Sequence, residues 1–130
     1  MKISKDFSKS EFDSKDGAEM PLDVFFNVMH LAKNLQVLRD YLKRRVIITS
    51  GYRSPEHNLA VGGVPGSKHP LGEAGDIKVE GMKPAAVHAC IEYLISIGKM
   101  KQGGLGIYDG FVHYDIRGTK ARWDFRKKTK

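Results

Sequence analysis

The sequence has 130 residues, of which 41% are hydrophobic and 28% are charged. This length and composition are typical of one globular domain, and they exclude a second domain of ordinary size and a disordered or fibrous chain. Lysine and arginine outnumber the acidic residues by 22 to 15, for a formal charge of +7, which favours an anionic partner. The single cysteine, Cys90, excludes an internal disulfide framework and a zinc site built on paired thiolates.

The chain contains no hydrophobic run long enough to span a membrane, and Met1–Met20 has no apolar core of signal-peptide length. We therefore expect a monomeric protein that is synthesised in the cytoplasm and does not insert into a membrane. A target outside the cell membrane would be reached only after release or delivery.

Two amphipathic helices and two buried strands are predicted in the first three quarters of the chain. Apolar residues recur three or four positions apart over 21–43 and again over 83–97, which is the pattern of a helix with one buried face. The β-branched run at 46–49 predicts a buried strand, and 76–79 predicts a second one. Between them lies a loop over 51–75 with only a short helix at 55–61, and a loop of this length inside a small domain usually builds a functional site.

A β-hairpin is predicted around Asp109-Gly110, because a two-residue Asp-Gly connection between apolar runs is a strong hairpin signal. This turn places Tyr108 opposite Phe111 and Gly106 opposite His113. A glycine facing a histidine leaves room for a bound group. These elements together predict an α+β fold, with two main helices on a small, largely antiparallel sheet, in a single domain over 1–130.

A basic C-terminal segment, residues 116–130, carries seven lysines and arginines against one aspartate and so supplies +6 of the net +7. It also contains Trp123 and Phe125. Basic and aromatic residues in alternation can contact phosphates and stack on bases, so the segment alone is compatible with a nucleic-acid-binding module.

Three residues with metal-ligand chemistry fall in the long loop and the hairpin: His69, Asp76 and His113. Two imidazoles and one carboxylate occupy three corners of a tetrahedral zinc ion and leave the fourth for water, which is the pattern of a catalytic zinc site. Gly72 and Gly75 between the first two residues allow the chain to fold back on itself. Spacing alone does not distinguish this site from a chance combination of histidine and aspartate.

The strings around these residues resemble a known family. SKHPLGEAGD at 67–76, SGYRS at 50–54 and FVHYDIR at 111–117 are similar, in this order, to the zinc D-Ala-D-Ala carboxypeptidases and peptidoglycan endopeptidases, which share their fold with the hedgehog signalling domain. The family pattern Ser-x-His-x-x-Gly-x-Ala-x-Asp is present at every fixed position. The resemblance implies a zinc cofactor held by His69, Asp76 and His113.

The resemblance also implies roles for neighbouring side chains. Arg53 matches the arginine that binds the substrate carboxylate or stabilises the oxyanion, and Ser67 is the expected accompanying hydrogen-bond donor. His57 follows Arg53 in the loop, where we expect it to line the substrate cleft. The general base does not carry over, because the positions that hold an acidic residue or a histidine in better-known branches are Gly110 and Phe111 in this chain.

Asp115 is our assignment for the general base. It lies two residues after His113, so both side chains point to the same face of a strand. Asp109, in the predicted turn, and Glu73, within the first motif, are the alternatives.

The function expected from the whole pattern is a zinc metallopeptidase that hydrolyses D-Ala-containing bonds in the stem or crosslink peptides of bacterial peptidoglycan, as in a phage or prophage lysis enzyme. The basic segment agrees with this interpretation because cell-wall material is anionic. The alternatives are a cell-wall protein that binds metal without catalysis and, less favoured, the nucleic-acid-binding module, which leaves the histidine and aspartate motifs unexplained.

Overall fold

A five-stranded sheet forms the centre of the computed structural model, which describes residues 1–127. The strands follow the order β1-β2-β4-β3-β5, and all neighbours are antiparallel except β3 and β5. Their bounds are β1 Val46–Ser50, β2 Ala74–Val79, β3 Gly104–Ile107, β4 Val112–Asp115 and β5 Ala121–Asp124. The helices are α1 Leu22–Leu42, α2 Pro55–Ala60 and α3 Pro84–Ser96, with 3-10 turns at Lys9–Phe12 and His69–Leu71. The predicted α+β fold is confirmed.

The core lies between one face of the sheet and the helices α1 and α3. Side chains alternate between the two faces of a strand, so Ile77 of β2 and Leu105 of β3 point into this core, where both are fully buried. Leu35 of α1 and Ile91 of α3 are also fully buried and pack in the same cluster. Burying a side chain of this kind contributes roughly 1.5–3 kcal/mol. The same alternation directs Asp76 to the opposite face of the sheet.

The hairpin prediction is confirmed in its register. Gly106 pairs with His113, the Tyr108 N–H donates to the Phe111 carbonyl at 3.0 Å, and the two aromatic rings stack with centroids 4.3 Å apart. The expectation of a bound group opposite His113 is wrong. A side chain at Gly106 would overlap the Trp123 indole, so this space holds a residue of the chain itself.

Within the described residues, the basic C-terminal segment contributes a strand to the sheet. Its residues 121–124 form the edge strand β5, parallel to β3, which the sequence analysis did not predict. Lys128 and Lys130 lie outside the described residues. Within 1–127, no helix combines the length and apolar character needed to cross a bilayer.

Candidate metal centre

The strand registers place five residues in one row across the sheet. From one edge to the other the row contains Ser50, Asp76, His113, Gly106 and Trp123. All five therefore belong to the face opposite the helical core. The pairing of β2 with β4 thus brings Asp76 and His113, two of the three predicted ligands, side by side, although they are 37 positions apart in the chain.

His69 reaches this row from the long loop. It begins the 3-10 turn His69–Leu71, which ends at Gly72 in the left-handed conformation, with φ 75°. A side chain on Gly72 would lie 2.6 Å from the Val24 carbonyl oxygen, so both its backbone angle and the approach of α1 require glycine there. This reversal returns the chain to β2 and sets His69 against Asp76.

The three predicted ligands converge on one buried point. Asp76 Oδ1 lies 3.4 Å from His69 Nε2 and 3.2 Å from His113 Nδ1, and all three residues are buried. Tetrahedral zinc with bonds of 2.0–2.1 Å separates neighbouring ligand atoms by about 3.3 Å. The donor set and its spacing therefore fit a zinc ion, and the three atoms are the only such group of three or more ligands found within residues 1–127.

Each ligand has a partner on the side that faces away from this point. His69 Nδ1 bonds to the Gly51 carbonyl at 2.7 Å, and His113 Nε2 bonds to Asp115 Oδ2 at 2.7 Å. The second oxygen of Asp76 accepts from Arg53 at 3.2 Å. A hydrogen bond at the outer nitrogen fixes which nitrogen of a histidine offers its lone pair to a metal, so these partners orient the set for coordination.

Asp115 is fully buried behind His113. Its carboxylate accepts hydrogen bonds from the Gly104 N–H and from Nε and Nη2 of Arg117, each at 2.8 Å. A side chain at Gly104 would overlap this carboxylate. Asp115 contacts the Nε2 edge of the imidazole, whereas Nδ1 faces Asp76, so the aspartate and the ligand point lie on opposite edges of the ring.

The charges of this cluster are set by its hydrogen bonds. Burial alone would raise the pKa of Asp76, but the bonds with His113 and His69 hold that pKa well below its usual range. The pKa of Asp115 is likewise lowered, against the effect of burial, by His113, Arg117 and Gly104. Burial would lower the pKa of His113, while the bonds to Asp115 and Asp76 raise it. Both aspartates are therefore carboxylates at neutral pH, the form that ligates a cation.

Arg53 lies at the border of the cluster with three of its nitrogens engaged. Nε donates to Ser50 Oγ at 3.0 Å, Nη1 to Asn58 Oδ1 at 3.3 Å and Nη2 to Asp76 Oδ2 at 3.2 Å. Its side chain remains 16% exposed, so the guanidinium borders both the ligand and solvent. In this position Arg53 supports Asp76 directly.

The other predicted site residues surround the cluster at different distances. The Ser67 hydroxyl accepts the His69 N–H at 3.2 Å and so shapes the ligand loop. His57 is half-buried in the first turn of α2. Glu73 is half-buried just before β2, whereas Asp109 is exposed in the hairpin turn and accepts the Lys127 N–H at 3.2 Å. The structure thus joins Ser67 to the ligand loop and leaves Asp109 in a turn role.

The arginines of the basic segment have structural roles that were not predicted from the sequence. Arg117, Arg122 and Arg126 form ion pairs with Asp115, Glu92 and Asp124. Arg122 thereby joins β5 to α3. The spacing of two residues between Asp115 and Arg117, which lies just beyond the end of β4, was the available signal for the first pair.

The N-terminal residues hold the loop that carries Arg53. Tyr52 N–H donates to the Phe12 carbonyl at 2.8 Å. Ser54 N–H donates to Ser14 Oγ at 3.1 Å, and Ser54 Oγ donates to Asp16 Oδ2 at 2.5 Å. Hydrogen bonds from Ser14, Ser54 and the Ala18 N–H lower the pKa of Asp16 from 3.8 to about 2.

We expect Asp16→Asn to lower the free energy of unfolding at pH 7, because the ionised carboxylate is the better acceptor for these donors. A group with a lowered folded-state pKa stabilises the protein above its unfolded pKa, so this difference should shrink as the pH falls from about 4 towards 2. Urea unfolding between pH 2 and pH 7 measures this difference. Glu19→Gln, which removes the same charge three residues away, is the matched control, and equal behaviour of the two variants would contradict the assignment.

Comparison with known proteins agrees with this geometry. No curated protein matches the chain. A family model described as Peptidase M15 matches residues 4–115, a span that includes the three ligand residues, Arg53 and Asp115 but ends before β5. The resemblance inferred from the three sequence strings is confirmed, and the chain belongs to the Peptidase M15 family of metallopeptidases.

Proposed function

We propose that this protein is a zinc peptidase that hydrolyses D-Ala-containing bonds in the stem or crosslink peptides of bacterial peptidoglycan. The observation that carries the proposal is the buried group of His69, Asp76 and His113, in which every ligand has an outer hydrogen-bond partner. Three protein ligands leave one position for water or substrate, which distinguishes a catalytic from a structural zinc site. Membership of a metallopeptidase family supports the same reaction class.

A bound zinc ion supplies a Lewis acid for the scissile carbonyl and lowers the pKa of its water. The protein residues provide orientation and charge around it. His69 Nε2, Asp76 Oδ1 and His113 Nδ1 would hold the ion, since these are the atoms that converge. Arg53, which borders both Asp76 and solvent, would bind a substrate carboxylate or the developing oxyanion, for which its planar donors suit either geometry.

We propose a supporting role for Asp115 in place of the general-base role expected from sequence. Its carboxylate already accepts hydrogen bonds from Gly104, Arg117 and His113, and the residue is fully buried. These contacts suit a carboxylate that orients a histidine ligand and raises its basicity. His57 keeps its proposed place along the substrate cleft, and Ser67 keeps its proposed role in substrate binding as a hydrogen-bond donor, beside its bond to the loop that carries His69.

The nucleic-acid alternative loses support from the ion pairs of the basic segment. Three of its arginines are paired with carboxylates of the same chain, which reduces the positive charge available to phosphates. Arg117, moreover, belongs to the support of the metal centre. Retention on an anionic cell wall would rest on Lys120, Lys127 and the residues beyond.

Purified protein incubated with peptidoglycan and zinc tests the proposed function, with the products identified by mass spectrometry. Released D-alanine indicates carboxypeptidase action, and conversion of crosslinked dimers to monomers indicates endopeptidase action. His69→Ala should abolish both products, whereas His88→Ala, on α3 and outside the group of ligands, should retain them. Zinc binding without either product would contradict the proposal and favour the non-catalytic cell-wall protein.

A further inference from the structure

Trp123, the one tryptophan of the sequence, lies beside the metal centre. It occupies the end of the row that contains His113, with Gly106 between them. Because Gly106 has no side chain, the indole extends across β3 and meets the His113 imidazole, with ring centroids 4.9 Å apart and planes inclined by 50°. An indole from the edge strand thus forms the wall of the site next to a ligand.

Two further contacts fix the position of this indole. Its Nε1–H donates to the Tyr108 hydroxyl at 2.9 Å. The guanidinium of Arg117 lies 5.6 Å from the ring centroid, within the range of a cation–π interaction. Arg117 also binds Asp115, which bonds to His113. Trp123 and Asp115 therefore contact the same imidazole from different sides and share one arginine.

We infer that Trp123 is a positioning residue for the metal ligand His113, an inference that rests on the proposed metal site. The imidazole can rotate about its terminal torsion, and a half-turn would exchange Nδ1 with Cδ2 and Nε2 with Cε1, so that both nitrogens would leave Asp76 and Asp115. Asp115 favours the orientation with Nε2 outward, and the indole restricts the space in which the ring could rotate. Gly106 is required because any side chain there would displace the indole.

Zinc affinity, measured by competition with a chelator and without peptidoglycan, tests this inference. Mutation of a residue that supports a metal ligand typically lowers metal affinity by 10- to 100-fold. We expect Trp123→Ala to weaken zinc binding about 10-fold, and Trp123→Phe to restore most of the loss because a ring still packs against His113. Gly106→Ala should cause a similar loss and change the tryptophan emission spectrum, since it displaces the indole.

Gly110→Ala is the matched control, because a side chain at Gly110, in the turn of the same hairpin, meets no other atom within 4 Å. It should retain the zinc affinity and emission of the original protein. Thermal unfolding identifies any variant that fails to fold. If Trp123→Ala fails to fold, the zinc affinities of Trp123→Phe and Gly106→Ala test the inference in its place. Unchanged zinc affinity in folded Trp123→Ala, or in Gly106→Ala, would overturn the inference. If zinc affinity depends on Trp123 but the protein hydrolyses no peptide, the proposed function is wrong and the inference about Trp123 stands.

Discussion

Replacing Asp115 with asparagine should weaken zinc binding by about 10- to 100-fold and lower peptide hydrolysis with it. The carboxylate accepts from His113 Nε2, and this bond directs Nδ1 towards Asp76. An amide at the same place can present an N–H to Nε2, which favours the tautomer with its proton on Nδ1 and so removes the lone pair that Nδ1 would offer to the metal. It also leaves Arg117 beside a neutral group, at a cost of about 1–3 kcal/mol in the free energy of unfolding.

The measurement separates the two roles considered for Asp115. A general base acts on the water after the metal has bound, so its loss would remove hydrolysis and leave zinc affinity unchanged. A residue that orients His113 affects zinc affinity itself. Asp109→Asn, at the exposed hairpin turn, is the matched control and should behave as the original protein does. Hydrolysis near the original rate in Asp115→Asn would refute both roles.

Replacing Asp76 with alanine should have the largest effect on metal binding. Asp76 is the one carboxylate among the three ligands, and its Oδ1 is the atom nearest to both histidines. Its loss leaves two imidazoles as ligands. It also removes the carboxylate between the positive charge of Arg53 and the zinc ion, so that the two positive charges repel each other. We expect zinc affinity to fall by more than about 100-fold, beyond the range of an outer partner, and hydrolysis to fall to background.

Calorimetric zinc titration of Asp76→Ala checks this expectation, with circular dichroism to establish that the variant is folded. Asp109→Ala removes a carboxylate from the same protein and should bind zinc normally. Asp76→Glu keeps the charge but places the oxygen one methylene further out, so it should bind zinc with intermediate affinity. If folded Asp76→Ala binds zinc with the affinity of the original protein, the metal binds at another site and the assignment of Asp76 is wrong.

The features predicted correctly from sequence depend on local patterns. Helices α1 and α3 follow from periodic apolar residues, and the hairpin register follows from the Asp109-Gly110 turn. His69 and Asp76 are close in the chain, so one string identified both as candidate ligands, and the strand pairing of Asp76 with His113 completes the set.

The features that were missed depend on contacts between distant parts of the chain. Strand β5 carries charged Arg122 and Asp124 within a basic segment, and it is held at the edge of the sheet by its parallel pairing with β3 and by the ion pair of Arg122 with Glu92 of α3. The Asp16–Ser54 bond joins residues 38 positions apart. The space at Gly106 was recognised as a gap, but its occupant, Trp123, comes from β5, and β5 itself was not predicted.

Stripping the protein of metal with a chelator and then titrating zinc back tests the central claim most directly. We expect the stripped protein to release no free amines from peptidoglycan. It should then bind one zinc ion per chain and recover hydrolysis in proportion to the bound zinc, with no recovery in Asp76→Ala. Hydrolysis by the stripped protein, or the absence of a stoichiometric zinc site in the folded chain, would contradict the account.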